Sequence, residues 1–282
     1  MQKFACITLD MEPDYGDPER RIRLLEDMDL RRRFADIVNR FGGRVTTFTV
    51  ASLFESLAGP LRGLAECLPL EFSAHSHTHD PENGASRYEV ESARQAFQKF
   101  AGRPPLGYRA PIGRIDRAGL SHLMDLGYCY DASVYTSIRP GKFGYFNLHM
   151  PNTPFWITRN GEERLLEFPF TSISTVRVPF ALSYAKLLGW GVYSALLQTF
   201  GLPDAALLLV HPYDLYTRLA AKEGPLVEKF ALTRNDQHAF EYFKNLLEFL
   251  KRRGYEFLFV SEAYELLRQE GGQPRRAWEG WR

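Results

Sequence analysis

Three carboxylates follow the first apolar stretch of the chain at a spacing that suits both metal binding and proton transfer. They are Asp10, Glu12 and Asp14 in the segment TLDMEPDYG. Side chains alternate along an extended chain, so Asp10 and Glu12 point to the same side, whereas Pro13 interrupts the strand and directs Asp14 into a loop. One carboxylate can then bind a cation while another stays free as a base. A solvated acidic turn is the alternative interpretation.

Three of the seven histidines lie in the segment HSHTH, at His75, His77 and His79. Histidine is the commonest side-chain metal ligand. His75 and His79 converge if the chain turns, whereas His75 and His77 converge if it stays extended. Either pair with one carboxylate forms a site that leaves a position open for water. Taken alone, the stretch is more typical of a histidine-rich surface loop, and its partners elsewhere in the chain argue against that interpretation.

The motif YRAPIGR, residues 108–114, places Arg109 in a turn that contains proline and glycine. A guanidinium at the end of a short strand suits a paired carboxylate, and Asp10 is its natural partner. The same turn exposes backbone N–H groups, of which that of Ile112 is a candidate donor to an oxyanion. An ordinary surface turn is the alternative for this motif by itself.

A histidine follows the apolar residues of the segment LLLVHPYDL, residues 207–215. After a buried strand and before a proline, His211 is either a satisfied core residue or an acid placed to donate a proton. Leu209 alternates to the same side as His211 and is expected to line a small apolar pocket.

Short apolar segments alternate with helical patterns along most of the chain. The segments expected to form strands are 3–10, 44–50, 70–75, 106–110, 128–134, 164–170, 205–211 and 255–260. Helix signals between them include a capping box of Ser86 and Glu89 with Gly102 at the end, and an amphipathic pattern over 235–253. This alternation predicts an α/β fold, namely a distorted (β/α) barrel of about seven to eight strands.

The reactive groups of such a barrel lie where its strands end at their carboxyl edge. The unusual polar residues of this chain fall at or near those ends: Asp10, His75, His79, Arg109, Asp131, Glu167 and His211. So many placements at one rim favour a catalytic mouth there. Within it, we expect Asp131 to contact the substrate together with Ile112 and Leu209.

Composition and charge argue against several classes of function. The 35 basic and 34 acidic residues give a formal net charge of +1, which offers no electrostatic reason to expect a nucleic-acid partner. A nucleotide-binding α/β domain is set aside because no glycine-rich phosphate-binding motif follows a strand. We expect one catalytic domain over residues 1–270 and a loose tail over residues 271–282.

The cysteines and the N-terminal segment indicate a reducing compartment. Cys6, Cys67 and Cys129 lie far apart without CxxC spacing, and the first residues run into a strand pattern with no signal-peptide pattern. We therefore expect a cytoplasmic protein. The uncharged segment 187–203 is too short to span a bilayer, but its aromatic residues make 183–201 a candidate for contact with a membrane surface.

In their order along the chain, these motifs resemble those of the NodB-like polysaccharide deacetylases, carbohydrate esterase family four. The His-Ser/Thr-x-x-His motif of that family fits residues 75–79, and its Arg-x-Pro-x-Gly motif fits residues 109–113. Its fourth motif is similar to DLGYCYDASVY, and its fifth to Leu209-x-His211. The order of the motifs is more specific than any one of them.

The resemblance assigns roles within these motifs. It implies that His75 and His79 are metal ligands and that Asp10 is the base. The first motif departs from the commonest form, which has two adjacent aspartates, because one residue separates Asp10 from Glu12. Glu12 shares a strand face with Asp10 and is therefore preferred as the third ligand, with Asp14 as the alternative.

The resemblance also implies a reaction. A divalent metal, Zn²⁺ in the first place and Co²⁺, Ni²⁺ or Mn²⁺ as alternatives, would assist removal of an N-acyl group, first of all N-acetyl, from an amino-sugar glycan. Arg109 would align Asp10, and His211 would protonate the leaving amine. The segment EFPFT and the aromatic stretch before His211 are similar to a branch that acts on exopolysaccharide or lipid-linked glycans. The alternatives are a related C–N hydrolase, such as a lipid-sugar deformylase or an allantoinase-like enzyme, and a non-catalytic glycan-binding barrel.

Overall fold

The computed structural model describes residues 2–17, 19–142, 144–216 and 233–277. Its strands are β1 (Phe4–Met11), β2 (Val45–Thr49), β3 (Leu70–Ala74), β4 (Gly107–Tyr108), β5 (Tyr130–Asp131), β6 (Ile138–Arg139), β7 (Tyr145–Phe146), β8 (Phe155–Arg159), β9 (Glu162–Glu167), β10 (Ala205–Val210), β11 (Glu256–Phe257) and β12 (Arg275–Ala277). Its α-helices are α1 (Arg23–Glu26), α2 (Met28–Arg40), α3 (Leu53–Ser56), α4 (Ala58–Ala65), α5 (Arg87–Ala101), α6 (Arg117–Asp125), α7 (Leu182–Leu188), α8 (Trp190–Phe200), α9 (Ala239–Arg252) and α10 (Val260–Glu270). Short 3₁₀ turns are formed by Pro111–Gly113, Pro212–Leu215 and Asp236–His238.

One ten-stranded sheet runs in the order β10–β1–β2–β3–β4–β5–β9–β8–β12, with β11 paired to the start of β1. Its pairs are parallel except for the antiparallel pair β8–β9. Strands β6 and β7 form a separate antiparallel hairpin. Parallel strands that alternate with helices confirm the α/β fold that the sequence predicts.

The sheet curls into a distorted barrel, in which an irregular segment lies between β9 and β10. Residues 168–181 run beside β10, and Ala181 forms an isolated parallel bridge with Leu209. The Leu209 N–H donates to the carbonyl of Phe180 at 3.2 Å, and the Leu207 N–H donates to Thr171 Oγ1 at 2.8 Å. A few hydrogen bonds thus replace a regular strand ladder at this side of the barrel.

Strand β1 shows how the sequence positions the site, because its alternating side chains divide between two cores. Ala5, Ile7 and Leu9 pack outward in the larger cluster with the helices, whereas Phe4 and Cys6 pack inward in a second cluster. By the same alternation the next two inward residues are Thr8 and Asp10. The interior therefore changes from apolar to polar toward the carboxyl ends of the strands.

Two segments differ from the sequence-based expectation. The tail expected to be loose pairs in part with the sheet, since Arg275–Ala277 lie parallel to β8 and Gln273 is buried; residues 278–282 lie outside the described part. The uncharged segment 187–203 is not one continuous helix: it is divided between α7 and α8 at Gly189, whose φ of 81° ends the first helix. No helix among the described residues has the length and apolarity needed to cross a bilayer.

Candidate active site

Asp10 is held by an arginine that is itself fully buried. Arg109 follows β4, and its Nη1 donates to Asp10 Oδ1 and, at 3.1 Å, to Thr8 Oγ1, while Nε donates to the Ala132 carbonyl at 2.9 Å. Its guanidinium lies between two aromatic rings, 3.9 Å from the centroid of Phe48 and 4.4 Å from that of Phe170. A buried cation needs such paired and hydrogen-bonded contacts. Because these contacts hold Arg109 in place, Arg109 fixes the orientation of Asp10.

Three residues beside Asp10 could hold a metal ion: Glu12, His75 and His79, here called the ligand group. Each offers one ligand atom, and the three atoms lie within 4.8 Å of one another. Glu12 Oε2 is 2.5 Å from His79 Nε2 and 3.7 Å from His75 Nε2. His75 Nδ1 lies 2.8 Å from the carbonyl of Arg109, which can only accept, so Nδ1 carries the proton and Nε2 presents a lone pair. Burial raises the pKa of Glu12, but His79 and His75 outweigh burial and hold it well below its usual range.

A tight loop brings His79 back toward His75, and a glutamate from α5 holds that loop. Both Ser76 and His79 adopt left-handed backbone conformations, with φ of 56° and 66°. The carboxylate of Glu89 accepts from the N–H groups of His77 and Thr78, at 2.8 Å each. The expected capping box is therefore only half formed: Ser86 accepts from the Glu89 N–H at 3.4 Å, while the Glu89 carboxylate serves the histidine loop.

The structure shows which of the alternative histidines and acids lie together: His79 rather than His77, and Glu12 rather than Asp14. The His77 ring faces Tyr88, with 6.4 Å between ring centroids, and is not part of the ligand group. Asp14 accepts from the Tyr216 hydroxyl at 2.9 Å and from the Arg23 N–H at 3.1 Å, and burial raises its pKa to about 6. The geometry thus brings Glu12, and not Asp14, beside the two imidazoles.

His211 approaches the same carboxylates from β10. Its Nε2 lies 3.9 Å from Asp10 Oδ2 and 3.9 Å from Glu12 Oε1, and its Nδ1 lies 3.2 Å from Asp214 Oδ2. Burial lowers the pKa of His211, but the hydrogen bond and charge of Asp214, with the charges of Glu12 and Asp10, raise it to about 9. A protonated imidazole at neutral pH can donate a proton.

These groups face a cavity of about 430 Å³, within the usual size range of small-molecule sites. Ile112 and Leu209 line it, as do Tyr135, Arg139, Tyr145, Phe170, Tyr184 and Tyr213. Ile112 has φ of 52°, which is costly for a β-branched residue, and the turn's backbone hydrogen bonds are donated by Gly113 and Arg114 rather than by Ile112. Gly113 is required there, because a Cβ atom would lie 2.4 Å from the Tyr135 ring.

Asp131 does not line the cavity, contrary to the expectation that it contacts substrate. It is fully buried and is the register partner of Glu167 across β5 and β9. Ser133 Oγ donates to Asp131 at 2.6 Å, and the Val134 N–H donates to Glu167 at 2.9 Å. Burial raises the pKa of both carboxyls, and the charge of Asp131 adds to the rise at Glu167. We interpret Asp131 and Glu167 as a carboxyl pair that shares one proton and is sealed off from the cavity.

Comparison with known families agrees with the motifs. The model of the family described as polysaccharide deacetylase matches residues 3–130, which include Asp10, the ligand group and Arg109. Comparison with curated protein sequences gave no match.

Three solved structures illustrate the range of proteins with this fold. A protein from Mycobacterium smegmatis described as a polysaccharide deacetylase has a TM-score of 0.57 and 18% identity, with 98% of this chain and 94% of that one covered. The Puue allantoinase has a TM-score of 0.57 and 13% identity, with coverages of 94% and 90%. A CE4-family pseudoenzyme from Bacillus anthracis has a TM-score of 0.53 and 11% identity, with coverages of 98% and 69%. Because active and inactive proteins share the fold, function must be argued from the site.

The class of protein follows from the motifs, the fold and the family match together. The resemblance to polysaccharide deacetylases is confirmed over residues 3–130. Together the motifs, the fold and this match make the chain similar to the polysaccharide deacetylases, a class of hydrolases that acts on carbon–nitrogen bonds outside peptides.

Proposed function

We propose that the protein is a metal-dependent hydrolase that removes an N-acyl group, N-acetyl in the first place, from an amino-sugar glycan. One observation carries the proposal: a two-histidine, one-carboxylate group, an arginine-bound aspartate and an aspartate-bound histidine face the same cavity. These are the parts that metal-assisted amide hydrolysis requires, namely a cation site, a base and an acid.

The residues present fit a divalent cation. Glu12, His75 and His79 supply one carboxylate oxygen and two imidazole nitrogens, a donor set that suits Zn²⁺ and related transition metals. The contact of His75 Nδ1 with the Arg109 carbonyl fixes the tautomer that binds metal through Nε2. When bound, such a cation polarises an acyl oxygen and lowers the pKa of water from about 15.7 toward about 7.

The base and the acid lie beside this group and close to each other, with 3.9 Å between Asp10 Oδ2 and His211 Nε2. Asp10 is not part of the ligand set and is oriented by Arg109, so it takes the proton from the attacking water. His211, oriented by Asp214, gives a proton to the amine, which is a poor leaving group without it. Ile112 lines the cavity in a left-handed turn, and its N–H is the group that donates to the oxyanion.

Metal analysis combined with acetate release tests the proposal. The purified protein should hold one divalent ion per chain and release acetate from at least one N-acetylated glycan in a panel, and removal of the ion by a chelator should abolish release. N-formyl amino sugars and allantoin serve as parallel substrates. Turnover of either of those without acetate release would favour the related C–N hydrolase, and binding of glycan without any turnover would favour the non-catalytic barrel.

A further inference from the structure

The cavity wall contains a cation that the proposed chemistry does not use. Arg139 lies in β6, and its side chain lines the cavity. Every carboxylate of the cavity wall already faces a cationic or imidazole partner within the site. Within residues 2–142, 144–216 and 233–277, apart from Pro18, the Arg139 guanidinium has no hydrogen-bond or ion-pair partner. The Arg139 side chain is exposed at the mouth of the cavity, where its guanidinium is free to pair with an anion on the ligand.

The register of one hairpin directs this cation inward. Arg139 pairs with Tyr145, and both line the cavity, although Arg139 is also exposed to solvent; the neighbouring pair Ile138 and Phe146 does not line it. Strand side chains alternate, so a slip of one residue would place an apolar side chain where the guanidinium now lies. Gly144 keeps the turn tight, since a Cβ atom there would lie 2.6 Å from the Arg139 carbonyl oxygen.

A stack of aromatic rings fixes the hairpin relative to the catalytic end of the cavity. The Tyr145 ring stacks on Tyr135 with centroids 4.9 Å apart, and Tyr135 stacks on Phe170 at 3.9 Å. Phe170 in turn covers the guanidinium of Arg109, the residue that orients the base. The strand that pairs with Arg139 is therefore anchored to the catalytic end of the cavity, which fixes where the guanidinium can meet a ligand.

We propose that the cavity accepts an amino-sugar glycan that carries a carboxylate or phosphate group near the N-acyl group, and that Arg139 binds that anion. This inference rests on the proposed function and specifies its substrate class. A guanidinium forms two parallel hydrogen bonds with either anion, and the tyrosine faces beside it offer apolar surface to a sugar ring. The class of acceptor thus follows from the charge of the wall rather than from the catalytic groups.

Deacetylation rates on three acceptors test this proposal in the full-length, metal-loaded protein. The acceptors are a neutral N-acetylglucosamine oligosaccharide, an oligosaccharide of equal length in which glucuronate alternates with N-acetylglucosamine, and N-acetylglucosamine 1-phosphate. We expect kcat/KM on one of the anionic acceptors to exceed that on the neutral one by about 10- to 100-fold, the value of a charged hydrogen bond. The preferred anionic acceptor distinguishes carboxylate from phosphate.

Matched variants assign this preference to one side chain. Arg139→Gln should abolish the preference mainly through KM, and Arg139→Lys should retain part of it. Lys142→Gln is the control, because Lys142 lies in the same hairpin but pairs with Glu82 at 2.8 Å and does not line the cavity. A neutral preference in the wild type, or an unchanged anionic preference in Arg139→Gln, would overturn the assignment.

Binding measured without turnover separates this proposal from the proposed function. Calorimetry with the Asp10→Asn protein should show tighter binding of the anionic acceptor, and Asp10→Asn/Arg139→Gln should lose that difference. Anion-selective binding without hydrolysis by the wild type would support Arg139 and contradict the hydrolase. Hydrolysis without anion selectivity in either assay would support the hydrolase and contradict the role of Arg139.

Discussion

Two pairs of carboxyl groups lie near Arg109, and their environments differ. Asp10 and Glu12 face the cavity, where Arg109, two imidazoles of the ligand group and the Tyr213 hydroxyl contact them. Asp131 and Glu167 lie side by side on neighbouring strands and are fully sealed from solvent. Arg109 and the imidazoles stabilise the negative charge of Asp10 and Glu12. In Asp131 and Glu167, burial and the charge of the neighbouring carboxyl favour retention of a proton.

The difference shows that position at a strand end does not by itself make an acid reactive. All four residues lie at the carboxyl edge of the sheet, yet only the pair that meets imidazoles opens onto the cavity. The sealed pair supplies about one negative charge near Arg109, which is a structural role. Four sets of substitutions test this division, from the largest expected effect to the smallest.

Removal of a ligand on the cavity side should have the largest effect. His75→Ala and His79→Ala should each bind metal more than about 100-fold less tightly, since even outer contacts of a ligand are worth about 10- to 100-fold. His77→Ala is the internal control and should retain stoichiometric metal, because its ring faces Tyr88. Elemental analysis after dialysis measures this, and equal metal loss in all three variants would contradict the ligand assignment.

Removal of the base should leave the metal in place. Asp10→Asn should lower kcat by about 10²- to 10⁴-fold, the usual contribution of a general base, with metal content near that of the wild type. Asp131→Asn is the matched change on the sealed side and should lower kcat by less than about tenfold, since Asp131 does not line the cavity. Similar losses in the two variants would remove the distinction between the pairs.

Weakening the support of the acid should shift the pH dependence. Burial lowers the pKa of His211, but the hydrogen bond and charge of Asp214 raise it, so kcat/KM of the wild type should fall on the alkaline side, where the imidazole loses its proton. Asp214→Asn removes the charge that raises this pKa, so the alkaline limb should move to lower pH, with a loss of about tenfold or more at pH 8. Profiles between pH 6 and pH 10 measure the shift, and an unmoved limb would exclude His211 as the acid.

Neutralising one member of the sealed pair should have the smallest effect on turnover and a visible effect on stability. The folded-state pKa of Glu167 is raised above its unfolded value of about 4.3, so the native chain retains a proton that the unfolded chain releases. Stability of the wild type should therefore decline as pH rises above about 5. Glu167→Gln removes this titration, and its free energy of unfolding should depend less on pH.

Urea unfolding between pH 5 and pH 9 provides the measurement for Glu167→Gln, with the exposed Glu66→Gln as the control. The control should follow the wild type at every pH. If Glu167→Gln and the wild type have parallel stability profiles, the two carboxyls do not share a proton.

Local and periodic signals predicted much of the fold. Strand β1 was expected at residues 3–10 and lies at Phe4–Met11, and α5 begins after Ser86 and ends at Gly102 as its caps indicate. The pairing of Asp10 with Arg109 was also expected, because the two residues carry opposite charges and both end strands at one barrel rim. The strand and the helix were predictable because side-chain alternation and capping can be recognised within a few consecutive residues.

Features that depend on distant pairing were not predicted. The position of Asp131 depends on Glu167, which lies 36 residues further along and becomes its neighbour only when β5 pairs with β9. The role of Glu89 depends on the loop His75–His79, and a capping motif gave it a different partner. The hairpin of β6 and β7 has strands of two residues each, too short for any periodic signal.

The irregular segment 168–181 has a consequence for how the cavity can change. It contributes Phe170, Pro179 and Ala181 to the wall, yet it is tied to β10 by a bridge and a few hydrogen bonds instead of a full ladder. Its sequence can therefore be varied without a register change in the parallel strands that carry Asp10 and His211. A library that varies this segment but keeps Phe170, which packs on Arg109, would alter acceptor choice while the groups at the strand ends keep their places.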